Sequence, residues 1–232
     1  YIEAGDDAIV VKASRAYARF GGSENITVTN CTLRSTSAAL KIGTETVADI
    51  RNVLFSNCTI QKSHRGVAIV LRDEGNVEGV LVQNLTIETR LYHPDWWGAA
   101  EPIYVSAQPR TPAGRIGRLQ HVRFHQIQAT SEGGVLIAGS PESIIEDVAL
   151  HDVTVRVVRT SEQPEGRVDL RPPDSLGIRI EPMTGIRVQH ARDILVRDCT
   201  VRWVRDRPAT ALGLRHDEDT ADIRIEGFRE LR

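Results

Sequence analysis

Apolar and polar positions along this chain fall into short runs that recur. The pattern is N/D-φ-x-φ-x-N/D-x-x-φ, where φ is apolar. It reads Asn25 to Leu33, Asn52 to Ile60 and, with Gly79 in the first slot, Gly79 to Ile87. Asn30, Asn57 and Asn84 hold the second Asn slot and follow one another at 27 residues. Later copies are His121 to Ala129, Asp147 to Val155 and Asp193 to Val201, with Gln126, Asp152 and Asp198 in that slot. Between the copies lies a second apolar run: Ala8–Val11, Ala39–Ile42, Val67–Val70, Pro102–Val105 and Val135–Ile137. Runs of this length, rich in Val, Ile and Thr and lacking a helical period, predict strands.

A repeat of two short strands cannot bury its own apolar face and needs neighbours stacked on it. The expected fold is therefore all-β, a single-stranded parallel β-helix formed by residues 1–232 as one domain. No helical cap precedes Asp6, and the chain opens abruptly at Tyr1, so upstream rungs are expected to be missing.

The repeat also accounts for two tempting motifs. Asn25, Asn30, Asn57 and Asn84 each begin an Asn-x-Thr triplet, but a position that recurs with the rung points to a turn-side ladder rather than to glycosylation. Cys31, Cys58 and Cys199 share the slot after the ladder residue and read as a column of buried thiols. Three cysteines without CxxC spacing argue against a disulfide framework or a zinc site.

Composition narrows the functions. Of 232 residues, 41% are hydrophobic and 26% charged, with a net charge of -2 and the two signs interspersed. Nothing resembles a basic stripe for nucleic acid or a membrane-binding segment, so neither partner is expected. The histidines are scattered, and no metal or other cofactor is expected. A monomer is the expected state.

Stacked rungs make neighbours of residues one repeat apart, about 4.8 Å from strand to strand. The residues just before each second strand are Asp6-Asp7, Ser37-Ala38, His64-Arg65, Ala100-Glu101 and Glu132-Gly133. This column is rich in carboxylates. Adjacent Asp6 and Asp7 can share one cleft only at a turn, which Gly5 permits. Two carboxyl groups about 6.5–9.5 Å apart, one acid and one base, are what an inverting glycosidase uses. A solvated Asp-Asp turn is the plain alternative. Arg72-Asp73-Glu74-Gly75 reads equally as a charged turn or a sugar-binding loop. The Tyr92–Gly98 loop carries Trp96 and Trp97, whose indole faces suit sugar rings. Arg159 to Asp174, polar and Pro-rich, reads as a loop projecting from the coil.

Gly5-Asp6-Asp7-Ala8-Ile9, Glu24-Asn25-Ile26-Thr27-Val28, Ile42-Gly43-Thr44-Glu45 and Asp49-Ile50-Arg51-Asn52-Val53 occur in an order that resembles the polygalacturonase-type glycoside hydrolases (family 28). Trp96-Trp97-Gly98 and Glu101-Pro102-Ile103 are similar to segments of bacterial members. The resemblance implies a right-handed, pectin-lyase-like β-helix, secreted or periplasmic, that hydrolyses a pectin-type polysaccharide or oligosaccharide with inversion. It makes Asp6 the general acid and Asp7 a carboxylate that activates water, with Glu101 or Glu132 as further candidates. A non-catalytic polysaccharide-binding relative and a polysaccharide lyase are the rivals. The sequence departs from the family in three places. The third catalytic Asp would fall before Tyr1, Ser37-Ala38-Ala39 stands where Gly-His-Gly is expected, and Ala68 and Val70 replace an Arg-x-Lys pair. Lys41, Arg65 and Arg72 are candidates to hold a sugar carboxylate instead, joined in substrate binding by Asp73, Trp96, Trp97, Glu101 and Glu132.

Overall fold

A computed structural model describes residues 1–93, 95–171, 178–204 and 208–232. It is an all-β structure of two long, parallel sheets, with one short 3-10 helix at Arg15–Phe20. Among the described residues no helix is long and apolar enough to cross a membrane.

The predicted pattern forms the larger sheet. Ser23–Thr29, Ile50–Ser56, Val77–Thr89, Leu119–Ser131, Ile145–Val158, Ala191–Arg197 and Ala221–Glu226 pair in that order, each parallel to the next. The pattern is legible because of its corners. In Val77–Thr89, the residues Val77, Val80, Val82, Leu85 and Ile87 are all buried. Strict alternation from Val77 would send Val80 to the wrong side, and from Val82 it would do the same to Leu85. Gly79 and Asn84 sit in left-handed conformation, at φ 67° and 54°, and each turns the chain so that an odd step still points inward.

Every copy repeats these two corners. Asn25 and Asn30, Asn52 and Asn57, His121 and Gln126, Asp147 and Asp152, and Asp193 and Asp198 all have φ between 50° and 59°. Asn and Asp tolerate this region better than other side chains, which is why these residue types recur. A further copy escaped the sequence reading, with corners at Asp222 and Gly227. The side-chain ladder is real but partial: the Asn84 amide donates to Asn57 at 2.8 Å and that of Asn52 to Asn25 at 3.2 Å. Cys58 and Cys199 are buried as expected, whereas Cys31 is only half-buried. Burial pushes the Cys199 thiol up to about 11.

The second run forms the smaller sheet, ordered Ile9–Ala13, Ala38–Thr46, Arg65–Leu71, Ile103–Ala107, Val135–Ala138, Thr184–Gln189 and Leu212–His216. Its inner residues join those of the larger sheet in one core, where Phe55, Val82, Phe124, Leu150 and Val196 stack in register. Its outer residues form a row: Val10, Lys41, Ala68, Tyr104, Leu136 and Arg187.

The Arg159 loop does not project away, contrary to expectation. Arg167–Asp169 pairs antiparallel with Ile178–Ile180, and Val168 and Leu170 pack on Ala38, Ala68, Val70, Tyr104, Leu136 and Ala138 of the outer face. The reason stands in the sequence: Arg167-Val168-Asp169-Leu170-Arg171 alternates polar and apolar residues, the signature of a half-buried strand. Pro172 to Asp174 of this loop, and Pro94 of the Trp loop, lie outside the described residues.

Candidate functional site

At one end of the outer face, Asp7 closes a compact polar cluster. Its Oδ2 accepts from Lys41 Nζ at 2.7 Å, and its Oδ1 accepts from the Ser37 hydroxyl at 2.9 Å and the Ala38 N–H at 3.3 Å. The Asp7 side chain is 7% exposed. Asp6 differs: it is exposed, and its Oδ1 accepts from the Asp7 N–H at 2.8 Å. The Asp6 main-chain carbonyl accepts from the buried Ser35 hydroxyl at 2.6 Å, which fixes the turn. Two adjacent carboxylates thus occupy unlike surroundings, one pinned beside a cation and one facing solvent.

The other predicted residues are drawn into a second cluster further along the face. Arg65 Nε donates to Glu101 Oε2 at 3.1 Å, and its guanidinium lies 3.7 Å from the Tyr104 ring centre. Ala99 N–H also donates to Glu101 Oε2, at 2.8 Å, while Glu101 Oε1 has no hydrogen-bond partner among the described residues. Arg72 is 1% exposed, and its guanidinium donates to the carbonyls of Leu71, Ser106 and Arg171. Arg65, Arg72 and Glu101 were expected on an exposed face. The structure buries them instead: Gly98 and Ala99 close against Arg65 and Glu101, and the Arg171 carbonyl accepts from Arg72.

That segment is tied down by residues which sequence reasoning missed. The Tyr104 hydroxyl donates to the Asp169 carbonyl at 2.9 Å, and Gly98 N–H donates to Asp169 Oδ2 at 2.6 Å. Arg171 grips both oxygens of Asp169, at 2.8 and 2.7 Å. Burial raises the proton affinity of Asp169, but Arg171, the Arg65 charge and the Gly98 and Arg171 N–H groups outweigh it. The carboxyl is held below its ordinary range. Gly98 is required here: its φ is +114°, and a Cβ would stand 2.6 Å from Arg65 Nε.

Trp96 and Trp97 remain accessible at 38% and 43% exposure. Arg171 lies 4.6 Å over the Trp97 ring, so the Trp loop buttresses the segment while offering indole surface to solvent. Asp73 is buried and engaged by Arg110 at 2.6 Å and by the Thr46 N–H at 2.9 Å. Its neighbour Glu74 pairs with Arg15 at 3.0 Å. These contacts tie the Arg72–Gly75 stretch into a turn. Glu132 accepts from the Thr160 and Ser161 hydroxyls and lines a cavity of about 70 Å³ together with Glu101, Arg159 and Trp203.

Strand counting separates the two clusters. Glu101 and Glu132 stand three and four strands from Asp7, or about 14 and 19 Å at about 4.8 Å per strand. That exceeds the carboxyl separation of an inverting glycosidase. Neither glutamate lies within the reach needed to act with Asp7 on one water. Among the described residues no three His, Cys, Asp or Glu side chains could together hold a metal ion. No family model matches the sequence, and no curated protein matches it significantly.

Proposed function

We propose that this chain is a right-handed, single-stranded parallel β-helix of the pectin-lyase-like kind, acting as a glycoside hydrolase on a pectin-type polysaccharide or oligosaccharide. The observation that carries the reading is the unequal pair Asp6 and Asp7 at the uncovered end of the outer face. In this reading Asp6 turns to protonate the glycosidic oxygen. Asp7, oriented by Lys41 and Ser37, polarises the attacking water, and the product inverts. Trp96 and Trp97 lend stacking surface.

The test is release of reducing ends from a panel of pectic and neutral glycans. Asp6→Asn and Asp7→Asn should each cut the rate by about 10²–10⁴-fold, and proton NMR of the first product should show the opposite anomer. An unsaturated product absorbing in the ultraviolet would mark a lyase.

A second reading is favoured by the distance of Glu101 and Glu132 from the aspartates: a polysaccharide-binding module without catalysis. Glycan binding that survives Asp6→Asn, with no reducing ends released from any substrate, would establish it.

A further inference from the structure

Exposure along the outer row changes abruptly. The Lys41 side chain is 16% exposed, but Ala68, Tyr104 and Leu136 fall to 1%, 0% and 5%. The change coincides with the segment Arg167–Arg171, hereafter the strap, whose Leu170 is itself 2% exposed. The strap is not a loose cover. Tyr104 and Gly98 bind Asp169 from the sheet and the Trp loop, Arg72 binds the Arg171 carbonyl, and Arg167 donates to the Gly98 and Trp96 carbonyls.

The consequence is directional. A sugar chain lying along this face at Asp7 passes Lys41 and meets the strap at Ala68, two strands from Val10. That leaves about 10 Å, enough for a short stub of sugar but not for a polymer to run through. We infer that the strap is the end wall of the substrate groove and that the protein cleaves from a chain end, removing short sugars rather than cutting within the polymer. This inference rests on the hydrolase reading above and names the mode of that same site. Each turnover breaks one glycosidic C–O bond. The water oxygen joins the anomeric carbon, one proton of that water is taken up by the base, and the acid's proton goes to the departing sugar oxygen.

Strap residues therefore decide product length without touching the reacting atoms. Leu170 anchors the strap in the apolar patch, and Asp169 anchors it through the Gly98 N–H and the Tyr104 hydroxyl, while its three bonds from Arg171 stiffen the strap itself.

The experiment follows early products from de-esterified homogalacturonan and from a neutral glucan, by chromatography and by viscosity. The wild-type protein should release mono- or disaccharides while viscosity barely falls. Leu170→Asp and the milder Leu170→Ala should lengthen the first products and raise the viscosity drop per bond cleaved several-fold. Folding of each variant is checked by its melting transition and strap release by limited proteolysis. Long oligosaccharides as the first wild-type products would overturn the inference while leaving the hydrolase reading standing. So would an unchanged product pattern in a folded variant whose strap has become protease-sensitive. No cleavage of any glycan by the wild type would overturn the hydrolase reading itself, and this inference with it.

Discussion

The Tyr104 hydroxyl donates to the main-chain carbonyl of Asp169 at 2.9 Å, joining residues 65 positions apart. One end of that bond belongs to the repeat and the other to the strap, so it reports whether the strap is seated. Asp169 is also the acid-labile point of the fastening. Its carboxyl is held below the ordinary value of 3.8 by Arg171, Arg65 and two N–H groups acting against burial. The stabilisation is therefore fully present above that value and is lost as the pH falls through the depressed one. Acid should release the strap before the sheets melt, read as a change in Trp97 emission and new protease cleavage near Arg167. Asp169→Asn should show the released state already at neutral pH.

His64 gives a second handle of the same sign at higher pH, since its stabilisation too is lost as the pH falls. Burial and the Arg65 charge push its imidazole down to about 4, with Glu101 offsetting part of this. Its Nδ1 accepts the Tyr92 N–H at 3.3 Å, a role only the neutral ring fills in this orientation. The unfolded chain takes up the proton near 6.5 and the folded chain does not until about 4. Stability should thus fall by on the order of 3 kcal/mol between those values, and flatten below them. Urea unfolding across that window should show the slope, and His64→Gln should lose it relative to wild type.

Glu101 supplies the only carboxylate that hydrogen-bonds Arg65 among the described residues. Removing one partner of a buried pair leaves a charge without compensation, at about 3–5 kcal/mol. Glu101→Ala should cost that much in chemical denaturation. Glu226→Ala, at the exposed Arg197–Glu226 pair, should leave the denaturation midpoint essentially unchanged, since solvent screens such a pair.

The repeat, its strands and its core were legible because corners at fixed intervals impose an apolar pattern, visible from Asn25 to Val201. The final copy was missed because Gly227 fills the second Asn/Asp slot and Glu230 the closing apolar slot. The aspartate pair was legible as a pair, but its Lys41 and Ser37 partners emerge only when strands stack. Arg72 and Arg65 read as surface cations because the sequence around them says nothing of a cover contributed about a hundred residues later. The strap's alternation was present but short, and the charged residues and prolines beside it masked the signal.

The corner residues are themselves testable. Asn84 at φ 54° is held by conformational tolerance as well as by its bond to Asn57. Asn84→Ala should cost about 1–2 kcal/mol, whereas Asn84→Gly should cost less, since glycine adopts this region freely. Melting temperatures of the two variants provide the comparison. Equal losses would assign the position to its side-chain bond alone.

Because each corner resets which side of the chain faces inward, the five-residue step between paired corners cannot change in length, although the stretch from one copy to the next does, from 26 residues between Gln126 and Asp152 to 46 between Asp152 and Asp198. Excising the 27 residues from Asn57 to Gln83 would join one corner to its equivalent and leave every later strand facing as before. Excising one residue fewer would put Asn57 ahead of Asn84 and displace the corner from its column. The molecule resembles a ruled strip that can be cut at its marks, and the marks are the left-handed asparagines and aspartates.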